Sequence, residues 1–341
     1  MATAQLPESP LPPLAELRDA ARVVSIPTRT RFRGISTREA VIFVGPRGAA
    51  EFSPFVEYAD DESSRWLAAA LEYGWAETAL SLRSAIDVNA TVPAVPAEQV
   101  PAVLARFPGC RTAKVKVAER GQELADDIAR VRAVREAMGV DAFVRVDANG
   151  GWSVDEAAEA LTALAPFGLD YAEQPCATVA ELAELRSRLT RAGVPVRIAA
   201  DESVRKAEDP LAVARSGAAD LIVVKAQPLG GIATALAIIE EAQLPVIVSS
   251  ALDTSVGISM GLHLAAALPA GMLAGACGLG TVALLAGDVA QDPMIPVEGA
   301  LSVRRPTLDE GALERFRATP DRERWWLERI ERCYAALAVR A

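Results

Sequence analysis

From about Ser84 onward, apolar runs of strand length alternate with Ala/Leu/Glu-rich helical segments, and this alternation constrains the fold more than any other feature. Strands are expected at Ala85–Val92, Ala113–Val117, Phe143–Ala148, Asp170–Glu173, Arg197–Asp201, Leu221–Lys225, Val246–Ser250 and Thr281–Leu285. Helices such as Gln122–Met138, Val154–Ala165, Val179–Ala192 and Ile232–Ala242 fall between them. Strands joined by helical crossovers pair in parallel. Eight of them close most simply into a barrel. The rival, an open doubly wound sheet, usually carries a Gly-rich turn after its first strand, and none follows Val92.

The flanks read differently. Residues 21–58 hold short β-type runs separated by Gly34 and by Pro46-Arg47-Gly48, as in a small antiparallel sheet, and a helix is expected over Asp61–Leu82. After Asp288 the repeat stops; L-S-V-R-R-P reads as a strand and Leu313–Leu337 as a helix. The fold class is therefore α/β: a (β/α)8-type barrel over residues 84–288, an α+β cap from residues 1–83, and a C-terminal return, 289–341, packing on that cap.

The 341 residues carry a net charge of -10, which argues against nucleic acid as a partner. The first residues lack the basic-then-apolar pattern of a signal peptide. Thr254–Gly287 has no charged residue, but Pro269 and several glycines break it, so membrane insertion is not expected. Four scattered cysteines without a CxxC pair fit a reducing, cytoplasmic setting. Nothing in the chain points to a particular oligomeric state.

Active groups of a parallel barrel stand at the C-terminal ends of its strands. Lys116, Asp147, Glu173, Asp201, Lys225 and the pair Ser249–Ser250 occupy such ends, at separations of 31, 26, 28, 24 and 24–25 residues. Each step is about one strand–helix unit, so the six positions ring one mouth. Three carboxylates there repel one another. A divalent cation resolves the conflict, and an all-oxygen set favours Mg2+, or Mn2+, over Zn2+. Ordinary acidic caps on strand-to-helix turns are the alternative.

Of 35 basic residues only four are lysine: Lys114, Lys116, Lys206 and Lys225. A chain that otherwise uses arginine places three of the four on barrel strands. Arginine stays protonated, whereas lysine can serve as a base. Simple pairing with the carboxylates is the alternative reading. Lys114 shares a strand face with Lys116 and would depress its pKa. Lys206 reads as solvated. A cation between two amines suits abstraction of a proton α to a carboxylate, because it stabilises the enediolate that forms.

K-V-K at 114–116, R-V-D-A-N at 145–149, E-Q-P at 173–175, A-D-E-S at 200–203, V-V-K at 223–225 and G-G at 230–231 resemble the enolase superfamily, in particular its muconate-lactonising subgroup. That superfamily is itself a standard example of a Lys or His base working with Mg2+. Within the subgroup, F-R-G-I-S-T-R-E-A-V and E-F-S-P-F-V-E-Y most resemble the o-succinylbenzoate synthases. This resemblance implies syn dehydration of a small carboxylate, 2-succinyl-6-hydroxy-2,4-cyclohexadiene-1-carboxylate, to 2-succinylbenzoate in menaquinone biosynthesis. It implies that Lys116 removes the α-proton and then protonates the departing hydroxide. Lys225 stabilises the enediolate from the opposite face, and Asp147, Glu173 and Asp201 ligate Mg2+.

Arg145 and Asn149 share the strand face of Asp147 and are expected to support it. Ser249 and Ser250, ahead of a helix starting near Thr254, suit the succinyl carboxylate; a simple N-cap is the alternative. Arg31 and Arg33 fall in the expected lid loop, as site covers or as solvated side chains. The lone His263 lies in an apolar helix and reads as packing. Two other readings stand beside the synthase: an N-succinylamino acid racemase or dipeptide epimerase using the same lysines, and a non-catalytic metal-binding barrel.

Overall fold

The computed structural model describes residues 11–32, 34–205 and 209–339. Arg33 and Lys206 lie outside them. Strands β1 (Arg22–Phe32), β2 (Ile35–Gly45) and β3 (Gly48–Phe52) form an antiparallel sheet in that order. The turns are those the Gly34 and Pro46-Arg47 signals predict. β4 (Ala85–Asp87) follows, and then β5 (Ala90–Val92), β6 (Thr112–Lys116), β7 (Phe143–Asp147), β8 (Leu169–Glu173), β9 (Arg197–Ala200), β10 (Leu221–Val224) and β11 (Val246–Val248). The last seven make one parallel sheet in sequence order. Their side chains are buried on both faces, as in the uniformly buried Leu221–Val224, which explains continuous apolar runs rather than alternation.

Two strand expectations are corrected. Residues 85–92 are not one strand: β4 leaves the barrel to pair antiparallel with β12 (Ala300–Ser302), and only β5 joins the parallel sheet. Thr281–Leu284 is a 3-10 turn, not the eighth strand. The eighth position is taken by the Gly-rich segment before it. Leu273 and Gly278 bridge in parallel to Val246 and Ser249, while Cys277 bridges to Val88 on the other side. Irregular backbone thus closes the ring between β11 and the chain just before β5.

Short connections fix the strand ends. Ser153 with Glu156 and Thr178 with Glu181 form capping boxes that start the helices Val154–Leu164 and Val179–Ala192. The chain therefore turns within a few residues of Asp147 and of Glu173.

The cap helix runs over Asp60–Trp75, ending seven residues short of expectation. The expected C-terminal helix is two: Glu310–Arg315 and Pro320–Ala338, the second starting on a proline at its first turn. The longer one lies against the cap. Trp326 is fully buried, meets the Phe52 ring edge-on at 5.8 Å and donates to Glu39 Oε2 at 3.0 Å. Arg329 donates to Ser63 Oγ at 2.7 Å. No helix among the described residues is long and apolar enough to cross a membrane.

Candidate active site

Register sets the site. Lys116 pairs with Asp147 across β6 and β7, and Asp147 with Glu173 across β7 and β8. Asp201 and Lys225 are the first residues beyond β9 and β10. All five reach one mouth, at the C-terminal end of the sheet. In an eight-position ring β6 and β10 are four places apart, so Lys116 and Lys225 face each other across it.

The charges interlock. Lys116 Nζ contacts Asp147 Oδ2 at 2.6 Å and Asn149 Oδ1 at 2.6 Å. Lys114 Nζ contacts Glu173 Oε1 at 2.8 Å and the same Asp147 Oδ2 at 3.1 Å. Lys225 pairs with Asp201. All six charged groups are buried. Burial works against the charge on Lys114, but Glu173 and Asp147 prevail and hold its pKa well above the usual lysine value. Burial alone would raise Asp147; the Lys116 and Lys114 ammoniums overturn that and hold its carboxyl well below the usual range. Glu173 goes the other way: burial and the Asp147 charge lift it to about 7 against the pull of Lys114.

Three lysine side chains thus meet three acidic ones. As the side chains stand, no three acidic groups among the described residues are gathered closely enough to ligate one ion. The donor set still suits a hard divalent cation: it is all oxygen, and Glu173 Oε2 is buried with no hydrogen-bond partner.

Asn149 lies where it can steady both Lys116 and Asp147. Its side chain accepts from Lys116 and its backbone N–H donates to Asp147 Oδ1 at 3.1 Å, in a left-handed conformation with φ +49°. Arg145 does not join it. Its Nε donates to Asp170 Oδ2 at 2.9 Å and its Nη1 to Ala276 O at 2.6 Å, at the N-terminal end of the strands. Strand alternation puts Arg145 and Asp147 on one face but two residues apart along the axis, and the arginine reaches downward. A cavity of about 450 Å3 opens at that end, where Arg111, Arg145 and Arg197 face Asp87, Asp170 and Glu298. It exceeds the space beside the lysines, about 30 Å3, but its charges balance and the lysines are elsewhere.

Ser249 and Ser250 border the lysine site. Ser250 Oγ donates to Gly278 O at 2.8 Å and meets Thr281 Oγ1 at 2.8 Å. The helix Ser255–Ala267 behind them does not offer a free N-terminus. Glu51 of the cap already takes the N–H groups of Thr254 and Gly257, and Asp288 takes that of Ser255. That part of the anion-site expectation is corrected. Arg31 is exposed and donates to Gly34 O in its own turn. Its neighbour Phe32 lines the site instead, with its ring 5.4 Å from Lys116 Nζ. His263 packs on Tyr73, bonded at 2.9 Å.

Residues 97–307 match the family model for enolase C-terminal domain-like proteins, and residues 23–74 the one for enolase N-terminal domain-like proteins. The chain is 56% identical over 328 residues to the o-succinylbenzoate synthase of Mycobacterium leprae, covering 96% of this chain and 95% of that one. The o-succinylbenzoate synthase of Mycobacterium ulcerans is 54% identical over 329 residues, covering 96% and 97%. The chain belongs to the o-succinylbenzoate synthase family of the enolase superfamily. As a member of that family it is an enzyme of the lyase class. Muconate cycloisomerase from Pseudomonas fluorescens has the same fold at a TM-score of 0.71 and 21% identity, covering 88% of this chain and 98% of that one. So has the L-Ala-D/L-Glu epimerase from Bacillus subtilis, at 0.70 and 22%, covering 84% and 96%.

Glu51 and Gln174 are among the residues of this synthase-family chain that sequence reasoning misses. Glu51 left no local signal, because the helix N-terminus it caps lies about two hundred residues away. Gln174 is the middle of E-Q-P, and a fully buried glutamine next to Glu173 is a costly choice unless every polar atom is paired.

Proposed function

We propose that the protein catalyses Mg2+-dependent syn dehydration of 2-succinyl-6-hydroxy-2,4-cyclohexadiene-1-carboxylate to 2-succinylbenzoate, a step of menaquinone biosynthesis in the cytoplasm. The observation that carries the reading is the placement of Lys116 and Lys225 on opposite sides of one mouth, with three carboxylates between them. Relatives named o-succinylbenzoate synthase at 54–56% identity support the choice of substrate.

Asp147, Glu173 and Asp201 would hold Mg2+, which supplies positive charge against the dianionic enediolate. Lys116, in its neutral form, takes the proton α to the substrate carboxylate. The resulting ammonium stands on the same side of the ring and returns that proton to the departing hydroxide, so water leaves and the ring becomes aromatic. One amine handling both proton transfers accounts for the syn course. Lys225 stays protonated and faces the developing oxyanion from the other side. Asn149 Oδ1 holds the Lys116 amine in place. Phe32 lies beside that amine, its ring centre 5.4 Å from Nζ.

Incubating the purified protein with the diene and Mg2+ tests the reading directly. 2-Succinylbenzoate is expected, and its absence sinks the proposal. The opposed lysines also meet the requirement of two-base racemisation, so an N-succinylamino acid or dipeptide tested in parallel separates the readings. Racemisation without dehydration would decide for the isomerase.

A further inference from the structure

Gln174 ties together the three turns that carry the acidic residues of the site. Its backbone is left-handed, φ +40°, uncommon for a residue with a side chain. Its carboxamide spends two donors and two acceptors. Nε2 donates to Cys176 O at 2.8 Å and to Ser203 Oγ at 2.7 Å. Oε1 accepts from the N–H of Asp201 at 3.0 Å and of Ser203 at 3.1 Å. Its own N–H donates to Ala199 O at 2.7 Å, and its carbonyl accepts from Gly150 N at 2.7 Å.

We propose that Gln174 is a positioning residue for the divalent cation, fixing the Asp201 backbone relative to Glu173 so that the carboxylates can close on one ion. Asp201 lies one residue past β9, where the strand ladder has ended, and its buried N–H needs a partner. The Gln174 carboxamide supplies it and so extends the order of the sheet by side chain. The carbonyl bond to Gly150 reaches the turn beyond Asp147 in the same way. Asparagine is a methylene too short for this span, and glutamate lacks the two donors. The inference rests on the cation reading above.

The test is calorimetric titration of the metal-free enzyme with Mg2+, for wild type and for Gln174→Met, which keeps bulk and removes every side-chain hydrogen bond. A folded Gln174→Met is expected to bind Mg2+ about 10- to 100-fold more weakly, the usual effect of losing a group that orients a ligand. The apparent KM for Mg2+ should move more than kcat at saturating Mg2+. Wild-type affinity in a cooperatively unfolding Gln174→Met overturns the inference. If that variant does not fold, Ser203→Ala carries the test. It removes one partner of Nε2 and is expected to weaken Mg2+ several-fold; unchanged affinity there overturns the inference as well. A wild-type protein that binds no Mg2+ at millimolar concentration instead overturns the cation reading itself.

Discussion

Glu51 Oε2 accepts a hydrogen bond from the backbone N–H of Thr254 at 3.1 Å, so a carboxylate from the cap sits at the N-terminus of a barrel helix. Negative charge is favoured at that position. Asp253 is buried beside it, and Arg38 answers both. Arg38 Nε donates to Leu252 O at 3.1 Å, Nη2 donates to Ser53 Oγ at 2.9 Å, and the guanidinium lies 4.6 Å from the Phe55 ring centre. Phe55 and Leu252 both line the lysine site. The joint between cap and barrel is thus also a wall of the site.

Arg38→Ala should be costly. It leaves two carboxylates buried without their cation, and breaking such a pair costs about 3–5 kcal/mol. The urea midpoint of the variant measures this. A loss below about 1 kcal/mol would show that the joint is not held by charge.

Glu51 predicts how stability follows pH. Its ordinary value is 4.5; burial first, and then Asp253, raises it to about 7 in the folded protein despite Arg38, Ser53 and Thr254. Between those two pH values the folded chain holds a proton that the unfolded chain has released. Raising the pH through this window therefore drains stability, and lowering it restores what was lost. Glu51→Gln removes the titration, so the gap in melting temperature between wild type and variant should change across this window. A constant gap from pH 4.5 to 7 would exclude Glu51 as the titrating group.

Lys116→Ala should abolish dehydration while leaving the fold intact, because the amine is the proposed base and Lys114 still pairs with Asp147. Circular dichroism and a thermal melt check the fold, and loss of the diene absorbance checks turnover. Surviving turnover would remove Lys116 from the mechanism.

Chelation should stop turnover and added Mg2+ restore it. The ion should also raise the melting temperature, since a ligand bound only by the folded state adds stability of RT ln(1 + [L]/Kd). Glu173→Gln, which removes a proposed ligand at the orphaned oxygen, should blunt that rise. A rise of wild-type size in Glu173→Gln would place the ion elsewhere.

Much of the site was legible because one strand–helix unit is about 25 residues long. Residues at that spacing that also end apolar runs must meet at one end of a parallel sheet, and Lys116, Asp147, Glu173, Asp201 and Lys225 do. The eighth strand was misplaced because Thr281–Leu285 has strand-like composition, while the segment that closes the ring, near 272–278, is rich in glycine and alanine and pairs only through scattered bridges. Arg145 was misplaced because alternation encodes a face of the sheet and not a height along it. Glu51, Arg38 and Gln174 act through partners set by tertiary approach, which periodicity does not record.

Lys114, Lys116 and Lys225 are each less than a tenth exposed, and the chain has only one other lysine. To reagents that acylate amines, most of this protein's surface is therefore inert. Among the described residues, labels and cross-linkers that decorate an ordinary protein at random find lysine amines only inside the barrel mouth. The rate at which those three side chains acylate reports how far burial and pairing with Asp147, Glu173 and Asp201 withhold their amines, read by mass rather than by turnover.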